Sequence, residues 1–482
     1  MYKQISYNYK SLERAKEREA MASSGYRAHV LAIPYPSQGH INPLLQFSKR
    51  LASSKGLKVT LANTIFIANS LNLPKSAGYV QLETISDGYD DGGFALAESI
   101  AVYLSRLEAE GSKSVAEIIT RHKSTPNPID CIIYDPFLPW ALDVAKQFGL
   151  ATAAFFTQTC TVNYTYYLEH HHGLIRNPAS SPNNLPLGLH ILEPQDMPSF
   201  FSVPGSYPAY FEMVLNQFSN TDKADFIFAN TFYKLEEEVV DSMSQVCPML
   251  TIGPTIPSKY LDNSIRDNKE YGLHLFEIDS ACTDWLNTKP AGSVVYVAFG
   301  SMANLSDKQM QELALGLKAT DFHFLWVVRD SEEAKLPEKF KEEMAEKGLL
   351  VNWSPQLEVL SHEAVGCFFT HGGWNSTIEA LSLGMPMVVM PQWTDQPTNS
   401  KLVEGLWKVG IRVTVDQNSG LVGREEIELC IRKVMGEEGI EMKMNAKKWR
   451  ELAIEAVSEG GTSDKNIDEF VSKLVIAKPA SV

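Results

Sequence analysis

Polar residues that can bind a phosphate group follow an apolar run late in the sequence. The run Val365–Phe369 indicates a buried strand, His371 and two glycines indicate a tight turn, and a helix is predicted from Asn375 to Leu383. The first N–H groups of a helix have no partners within it and lie at the positive end of the helix dipole. Because such an end binds anions, this order of elements predicts a diphosphate site that requires no bound metal.

Two further side chains near this turn have the chemistry to bind a nucleoside. Glu379 is predicted one helical turn beyond Asn375, where a carboxylate can accept two hydrogen bonds from a ribose diol. Trp353 is predicted to end the preceding strand and offers a flat surface for a base, with stacking worth roughly 0.5–1.5 kcal/mol beyond burial. Together with the phosphate site, these residues predict a nucleotide-sugar site.

A histidine and an aspartate in the first part of the chain have the chemistry of a general-base pair. His40 lies in a loop rich in proline and glycine, at the opening of a helix predicted to begin near Asn42. A charged imidazole is disfavoured at the positive end of a helix, which suits a residue that takes a proton from a hydroxyl. Asp135 directly follows the predicted strand Cys131–Tyr134, so both side chains can meet at one sheet edge. Taken alone, each residue is more simply explained as a polar loop or turn residue.

Short apolar runs alternate with longer amphipathic segments, which is typical of parallel sheets covered by helices. The predicted strands form two sets, which are His29–Ile33, Val59–Ala62, Cys131–Tyr134 and Ala151–Phe155, then Val294–Phe299, Phe324–Val328, Leu349–Val351, Val365–Phe369 and Met387–Met390. A hinge is predicted between the sets, at Ile252–Ser258 and the charged stretch that follows to about residue 279. A capping box at Ser306 predicts the start of one helix, and further helices are predicted at Glu425–Met435 and Ser463–Ile476.

Size and charge restrict the class of protein. A chain of 482 residues predicts about two or three domains, and a hydrophobic content of 44% is typical of globular cores. The net charge of −15 argues against binding to nucleic acid or to an anionic membrane through bulk electrostatics. No apolar run approaches the ~18 residues of a membrane span. The six cysteines contain no CxxC pair, which favours free thiols in a reducing compartment.

The first twenty residues differ in character from the rest of the chain. Residues 1–20 are polar and charged and lack the apolar core of a secretory signal, and a second methionine, Met21, follows them. We therefore expect a disordered N-terminal extension and a cytoplasmic protein.

The segment from Trp353 to Gln396 resembles the signature box of plant family 1 glycosyltransferases, which use UDP-sugars on small molecules. The resemblance extends over nearly all of residues 28–475 through the segments QGHINPLLQFSKRL, YDPFLPWALDVAKQFGL, FANTFYKLEEEV and VVYVAFGS. One departure is visible, because Gly372 stands where the family usually has cysteine. Motifs of competing enzymes, GxGxxG, GxxxxGK[ST] and GxSxG, do not occur in the sequence.

This resemblance implies a fold and a division into domains. The fold would be α/β of the GT-B type, with two facing Rossmann-like doubly wound domains and a cleft between them. Residues 21–255 would bind the acceptor and residues 256–460 the UDP-sugar. Residues 461–482 would form a C-terminal helix that packs back on the N-terminal domain.

The resemblance also implies roles for individual residues. Trp353 would stack on uracil, Gln356 would lie near the uridine and Glu379 would hold the ribose. The diphosphate would be bound by His371, Asn375 and Ser376. The sugar would be contacted by Trp374, Asp395 and Gln396. The site would be completed by Ser301, Ser354 and Gly373. His40 and Asp135 would form a catalytic dyad.

The activity implied is inverting transfer of glucose from UDP-glucose to a hydroxyl or carboxyl group of a small apolar plant metabolite, such as a phenolic, a carboxylic acid or a terpenoid. We expect a monomer that needs no metal or other cofactor and has no nucleic-acid partner. The acceptor pocket is predicted from an aromatic-rich set of Phe137, Trp140, Phe155, Phe156, Tyr164, Tyr167, Met197 and Phe200. The alternatives are a noncatalytic binding protein for UDP-sugars or small ligands, and a hydrolase or epimerase of nucleotide sugars.

Overall fold

The computed structural model of the chain describes residues 25–71, 76–173, 185–203, 205–266, 268, 271, 273 and 281–476. The predicted disordered extension, residues 1–20, lies outside the described residues. Within the described ranges, no helix has the length and apolar character needed to cross a lipid bilayer.

The first domain is built on a sheet whose strands, except for one short edge pair, are parallel. Its strands are β1 His29–Ile33, β2 Lys58–Thr64, β3 Ser76–Ala77, β4 Val80–Ile85, β5 Cys131–Tyr134, β6 Ala151–Phe156, β7 Phe226–Ala229 and β8 Leu250–Thr251. Their order in the sheet is β3-β4-β2-β1-β5-β6-β7-β8, and only β3 and β4 pair antiparallel among these described strands. Parallel strands that helices cover on both faces are continuously apolar, which explains the runs seen in the sequence.

The second domain contains a parallel sheet of the same kind. Its strands are β9 Val294–Ala298, β10 His323–Val327, β11 Gly348–Val351, β12 Val365–Thr370, β13 Met387–Val389 and β14 Gly410–Arg412, in the order β11-β10-β9-β12-β13-β14. Each sheet is covered by helices, and the two faces of each sheet lie in separate hydrophobic cores.

The helices connect and cover these strands. In the first domain they are α1 Gln38–Ser54, α2 Ile65–Ser70, α3 Ile100–Lys123, α4 Trp140–Gln147, α5 Cys160–His172, α6 Ser199–Ser202, α7 Pro208–Asn216 and α8 Glu237–Met243. In the second part of the chain they are α9 Ala281–Leu286, α10 Asp307–Ala319, α11 Asp330–Glu333, α12 Phe340–Glu343, α13 Gln356–Leu360, α14 Trp374–Leu383, α15 Gln396–Lys401, α16 Arg424–Met435, α17 Gly439–Val457 and α18 Thr462–Ile476.

The last helix, α18, belongs spatially to the first domain. Its apolar face, Ile467, Phe470, Val471 and Leu474, is buried in the same core as strands β1 and β2. The ring of Phe470 lies edge-on against two phenylalanines of β7, with centroids 5.0 Å apart in both pairs. Lys55, just after α1, forms ion pairs with Asp464 and Asp468 of α18 at 2.6 and 2.7 Å.

Most local predictions are confirmed, with small shifts at their ends. All nine predicted strands are present, whereas the other five described strands, β3, β4, β7, β8 and β14, had no counterpart in the sequence analysis. Helix α1 begins at Gln38, four residues before the predicted start near Asn42, so that His40 is the third helical residue. The Ser306 hydroxyl caps α10 by accepting from the Gln309 N–H at 3.2 Å. The Gln309 side chain bonds to the backbone of Val422 instead of closing the capping box.

All six cysteines are buried free thiols. This agrees with the free thiols predicted from the absence of a CxxC pair.

Candidate active site

The histidine and the aspartate singled out in the sequence meet at the carboxyl edge of the first sheet. Strands β1 and β5 are neighbours with Ile33 opposite Tyr134, so the loops that follow them lie side by side. His40 Nδ1 and Asp135 Oδ2 are 2.6 Å apart, and the other Asp135 oxygen accepts the Phe137 N–H at 3.0 Å. Because a carboxylate only accepts, Nδ1 carries the ring proton and Nε2 is left as the basic nitrogen.

Burial separates the two members of this pair. The Asp135 side chain is 2% exposed, whereas that of His40 is 17% exposed and lines a cavity. The imidazole packs against aromatic rings, with its centroid 5.0 Å from Phe137 and 5.4 Å from Tyr35. The Thr157 hydroxyl, at the end of β6, lies 3.3 Å from Nδ1. This arrangement can hold the imidazole in one orientation with one nitrogen facing a ligand.

The predicted phosphate site is a turn between β12 and α14 that encloses His371. A Cβ atom added to Gly300 would lie 2.9 Å from the His371 ring, and one added to Gly373 would lie 2.6 Å from it. The two glycines therefore let the backbone approach the ring from two sides. Burial lowers the pKa of His371 to about 4, so the imidazole is neutral at pH 7 and offers one N–H donor. Gly372, the departure from the family pattern, has a φ of +79°, which glycine adopts at no steric cost.

The carboxylate predicted to hold the ribose is already surrounded by donors. Glu379 accepts from the Tyr271 hydroxyl and from the Gln356 amide, both at 2.7 Å. The side-chain carbonyl of Gln356 in turn accepts from the Tyr296 hydroxyl at 3.1 Å. The Tyr296 hydroxyl also lies 2.8 Å from the Ser354 hydroxyl. Burial raises the pKa of Glu379 to about 7. Ribose hydroxyls that donate to this carboxylate in addition to these donors would favour its charged form.

Residues predicted to contact the sugar lie in the loop after β13 and at the start of α14. Asp395 is buried, which raises the pKa of its carboxyl group, and it accepts from Thr394 and Asn399 at 2.6 Å in each case. The Gln396 carbonyl accepts two backbone N–H groups of the same loop, at 2.8 and 3.1 Å. The indole N–H of Trp374 donates to a first-domain carbonyl at 2.8 Å. These side chains form a prearranged polar surface.

One cavity of about 490 Å³ between the domains is lined both by His40 and by the donor-site residues. All twelve predicted donor-site residues line it, and they are Ser301, Trp353, Ser354, Gln356, His371, Gly373, Trp374, Asn375, Ser376, Glu379, Asp395 and Gln396. His40 lines the facing wall, with Asp135 behind it. Most of these residues follow the carboxyl ends of β1, β9, β11, β12 and β13, where ligands bind in such sheets. Trp353 comes two residues after the end of its strand instead of ending it.

The predicted acceptor residues divide into two groups. Phe137 and Phe200 line the cavity. The others do not appear in its wall and pack into the first domain, and they are Trp140, Phe155, Phe156, Tyr164, Tyr167 and Met197. Their places in the core explain this, because Phe156, for example, stacks on Phe218 with centroids 5.3 Å apart.

Sequence reasoning missed most of the wall that faces the donor-site residues. The missed aromatic and apolar members are Tyr35, Phe94, Tyr103, Tyr210, Met213, Val214 and Trp393. Two missed residues carried a signal that was available. Thr157 follows a strand end as Asp135 does, and Trp393 lies inside the run that holds Asp395 and Gln396. Tyr271 lies in the charged stretch of the predicted hinge, where no sequence pattern indicated a functional role.

Two protein-family models match the chain. The model described as UDP-glucoronosyl and UDP-glucosyl transferase matches residues 212–447. The model described as glycosyltransferase, N-terminal domain, matches residues 27–70.

Relatives and solved structures match over nearly the whole chain. UDP-glycosyltransferase 74F2 of Arabidopsis thaliana is 56% identical over 453 residues, which cover 93% of this chain and 98% of the relative. Flavonol 7-O-beta-glucosyltransferase UGT74F1 of the same plant is 55% identical over 93% of this chain and 99% of its own. Os79 from O. sativa in complex with UDP has a TM-score of 0.86 at 40% identity, covering 92% of this chain and 100% of that one. A UDP-glucose: anthocyanidin 3-O-glucosyltransferase in complex with UDP has a TM-score of 0.77 at 26% identity, covering 94% of this chain and 99% of that one.

Proposed function

Because the chain belongs to the UDP-glycosyltransferase family and has the GT-B fold, we propose that it transfers glucose from UDP-glucose to a small apolar acceptor with inversion at the anomeric carbon. Membership of the family and the fold were both predicted from the signature box, and both are confirmed. The observation that carries the proposal is the 2.6 Å contact between His40 and Asp135 on the wall of the cavity that holds the donor-site residues.

The proposed reaction is a direct displacement. His40 Nε2 takes the proton from an acceptor hydroxyl, and the acceptor oxygen attacks the anomeric carbon of the α-linked glucose. The bond from that carbon to the diphosphate oxygen breaks, and UDP leaves with the electron pair. Asp135 stabilises the imidazolium that forms, and general-base help of this kind is typically worth ~10²–10⁴ in rate. The product is a β-glucoside.

Charge that develops on the leaving diphosphate is met by the start of α14. We assign this role to the backbone N–H groups of the first helical turn, the neutral imidazole of His371 and the side chains of Asn375 and Ser376. Glu379 and Gln356 are assigned to the ribose and Trp353 to the uracil. Because these donors supply the electrostatic stabilisation, the proposed reaction requires no metal ion.

The acceptor is proposed to be a small apolar metabolite with a hydroxyl or carboxyl group. The wall around His40 is largely aromatic, with Tyr35, Phe137, Phe200, Tyr210 and Trp393 contributing rings. Such a surface favours flat or extended apolar molecules. The names of two similar proteins support this range, since one is a flavonol 7-O-beta-glucosyltransferase and Os79 binds a trichothecene.

The test is incubation with UDP-glucose and a panel of phenols, carboxylic acids and terpenoids, followed by mass spectrometry. We expect one added hexose on at least one acceptor and a β linkage by NMR. Release of free glucose when acceptors are plentiful would identify a hydrolase and reject the proposal. UDP binding with neither transfer nor hydrolysis would identify a noncatalytic binding protein.

The His40→Ala variant tests the role of the base. Turnover on a hydroxyl acceptor should fall by orders of magnitude while UDP affinity stays near that of the wild type. Unchanged turnover would reject the assignment of the base.

A further inference from the structure

Helix α1 contains a proline that frees one backbone carbonyl near the catalytic histidine. Pro43 is the sixth residue of this helix. In a regular α-helix the N–H of residue 43 would donate to the carbonyl of Gly39, but proline has no N–H. The Gly39 carbonyl therefore lacks its helical partner at the peptide that leads directly into His40.

A side chain of the second domain takes the place of that missing donor. The Asn375 side-chain amide donates to the Gly39 carbonyl at 2.7 Å, which is short for a hydrogen bond of this kind. Residue 39 has no Cβ, and a Cβ added there would lie 3.1 Å from the same amide nitrogen. Both sequence features, the glycine at 39 and the proline at 43, are thus required for this contact in its present form.

We propose that this hydrogen bond is the contact that sets the distance between the base and the donor, with Gly39 and Pro43 as positioning residues. The inference rests on the function proposed above. Asn375 lies in the first turn of α14, beside the phosphate site, and Gly39 is bonded covalently to His40. One bond therefore joins the two reacting halves of the site, which belong to different domains.

The chemistry of the amide permits both of its roles at once. A side-chain amide nitrogen carries two N–H donors. One donates to the Gly39 carbonyl, and the second remains for an oxygen of the diphosphate. A shift of the diphosphate is therefore transmitted to the peptide before His40. Misplacement of reacting groups by about 1 Å can cost about a hundredfold in rate, so one contact of this kind affects turnover.

Two substitutions weaken the bond by different routes. Gly39→Ala places a methyl group against the Asn375 amide, whereas Pro43→Ala restores the helical N–H that competes for the carbonyl. Alanine is a better helix former than glycine or proline, so neither change should lower the melting temperature. We expect kcat to fall about tenfold in Gly39→Ala and about threefold to tenfold in Pro43→Ala, with little change in the KM for the acceptor. A merely structural defect would lower stability and activity together.

A double-mutant cycle with Asn375→Ala separates positioning from other effects. If Gly39 and Pro43 act through Asn375, their substitutions should change kcat less than twofold in the Asn375→Ala background. Either of two results would overturn the proposal. The first is a kcat within twofold of the wild type in both single variants, and the second is an undiminished loss of kcat in the Asn375→Ala background. If Gly39→Ala fails to fold, Pro43→Ala decides the question by the same two criteria.

The outcome is distinguishable from failure of the proposed function. Absence of glucose transfer by the wild-type protein would reject that function. The same double-mutant cycles would then be measured as UDP affinity by calorimetry, because Asn375 also faces the phosphate site. Additive effects on UDP affinity would overturn the positioning contact, and coupled effects would support it.

Discussion

Replacing Asp135 with asparagine should remove the general base while leaving the cavity wall unchanged. The carboxylate accepts from His40 Nδ1 at 2.6 Å and from the Phe137 N–H at 3.0 Å. An asparagine offers one oxygen and one NH₂ group in their place. The backbone fixes the Phe137 N–H, so the amide oxygen turns toward it and the NH₂ group faces the imidazole. Nδ1 must then accept, the ring proton moves to Nε2, and the nitrogen that would receive the acceptor's proton is blocked.

The expected fall in kcat follows from the amount by which the general base lowers the activation free energy. General-base catalysis contributes ~10²–10⁴ in rate, which corresponds to about 3–5 kcal/mol of activation free energy. The Asp135 side chain is 2% exposed and lies behind the His40 ring, so UDP affinity should stay within about twofold of the wild type, a difference of only ~0.4 kcal/mol.

The assay compares two kinds of acceptor. Initial rates with UDP-glucose are measured on a neutral phenol and on a carboxylic acid that is ionised at pH 7, and UDP affinity is measured by calorimetry. The rate on the phenol should fall by the full ~10²–10⁴, and the rate on the carboxylic acid should fall much less, because the oxygen of the acid needs no deprotonation. A kcat on the phenol within fivefold of the wild type, with UDP binding intact, would refute the tautomer argument.

Four further predictions concern the donor site, the acceptor wall and the last helix. UDP affinity should rise with pH up to about 7, by at most ~10-fold per pH unit. The reason is that ribose hydroxyls favour the charged Glu379 carboxylate, and the pKa of this group is raised to about 7 in the free protein. Calorimetry across pH 5–8 on the wild type and Glu379→Gln checks this. Gly300→Ala should weaken UDP binding about tenfold or more, because the new methyl group would lie 2.9 Å from the imidazole of the phosphate site. Trp393→Ala should raise the KM for the acceptor severalfold, measured by initial rates, and leave UDP affinity unchanged. Phe470→Ala should lower the free energy of unfolding by about 3–5 kcal/mol in denaturant titrations, because it empties a fully buried site.

Each of these predictions has a matched control or an outcome that would contradict it. An equal pH slope in Glu379→Gln would show that the diphosphate alone titrates. Gly292 has a φ of +65° with nothing within 4 Å of an added Cβ, so Gly292→Ala repeats the backbone strain of Gly300→Ala without the clash. Equal loss of UDP affinity in both glycine variants would contradict the role of the ring contact. A loss of UDP affinity in Trp393→Ala would place that residue at the donor instead. Removal of an exposed side chain of α18, Ile476→Ala, should cost far less than Phe470→Ala.

Two of the strands that the sequence analysis missed lack a continuous apolar run, whereas β7 is apolar throughout and was missed as well. Strand β4 carries Gln81, Glu83 and Thr84 and lies next to the edge of its sheet, so it shows no continuous apolar run. Strand β14 has three residues at the edge of the second sheet, too few for any periodic pattern. Both are held in place by pairing with a neighbouring strand, which is a long-range contact that a local pattern does not record.

The donor site was predicted from the sequence far more completely than the acceptor wall. The donor-site residues are concentrated in one run of the sequence, where turns and helix starts have local signatures. The acceptor wall is assembled from side chains as distant as Tyr35, Tyr210 and Trp393, and an aromatic residue looks alike in sequence whether it faces a core or a cavity. Only Phe137 and Phe200 of the predicted acceptor set face the cavity for this reason.

The position of α18 has a consequence for how the protein is made. Fifteen residues near the carboxyl end of the chain complete the core against which strands β1 and β2 pack. During synthesis the ribosome therefore releases the N-terminal half with one patch of its apolar surface uncovered. That patch stays exposed until α18 has been synthesised, so a premature stop before residue 462 would yield a polypeptide that depends on chaperones or is degraded.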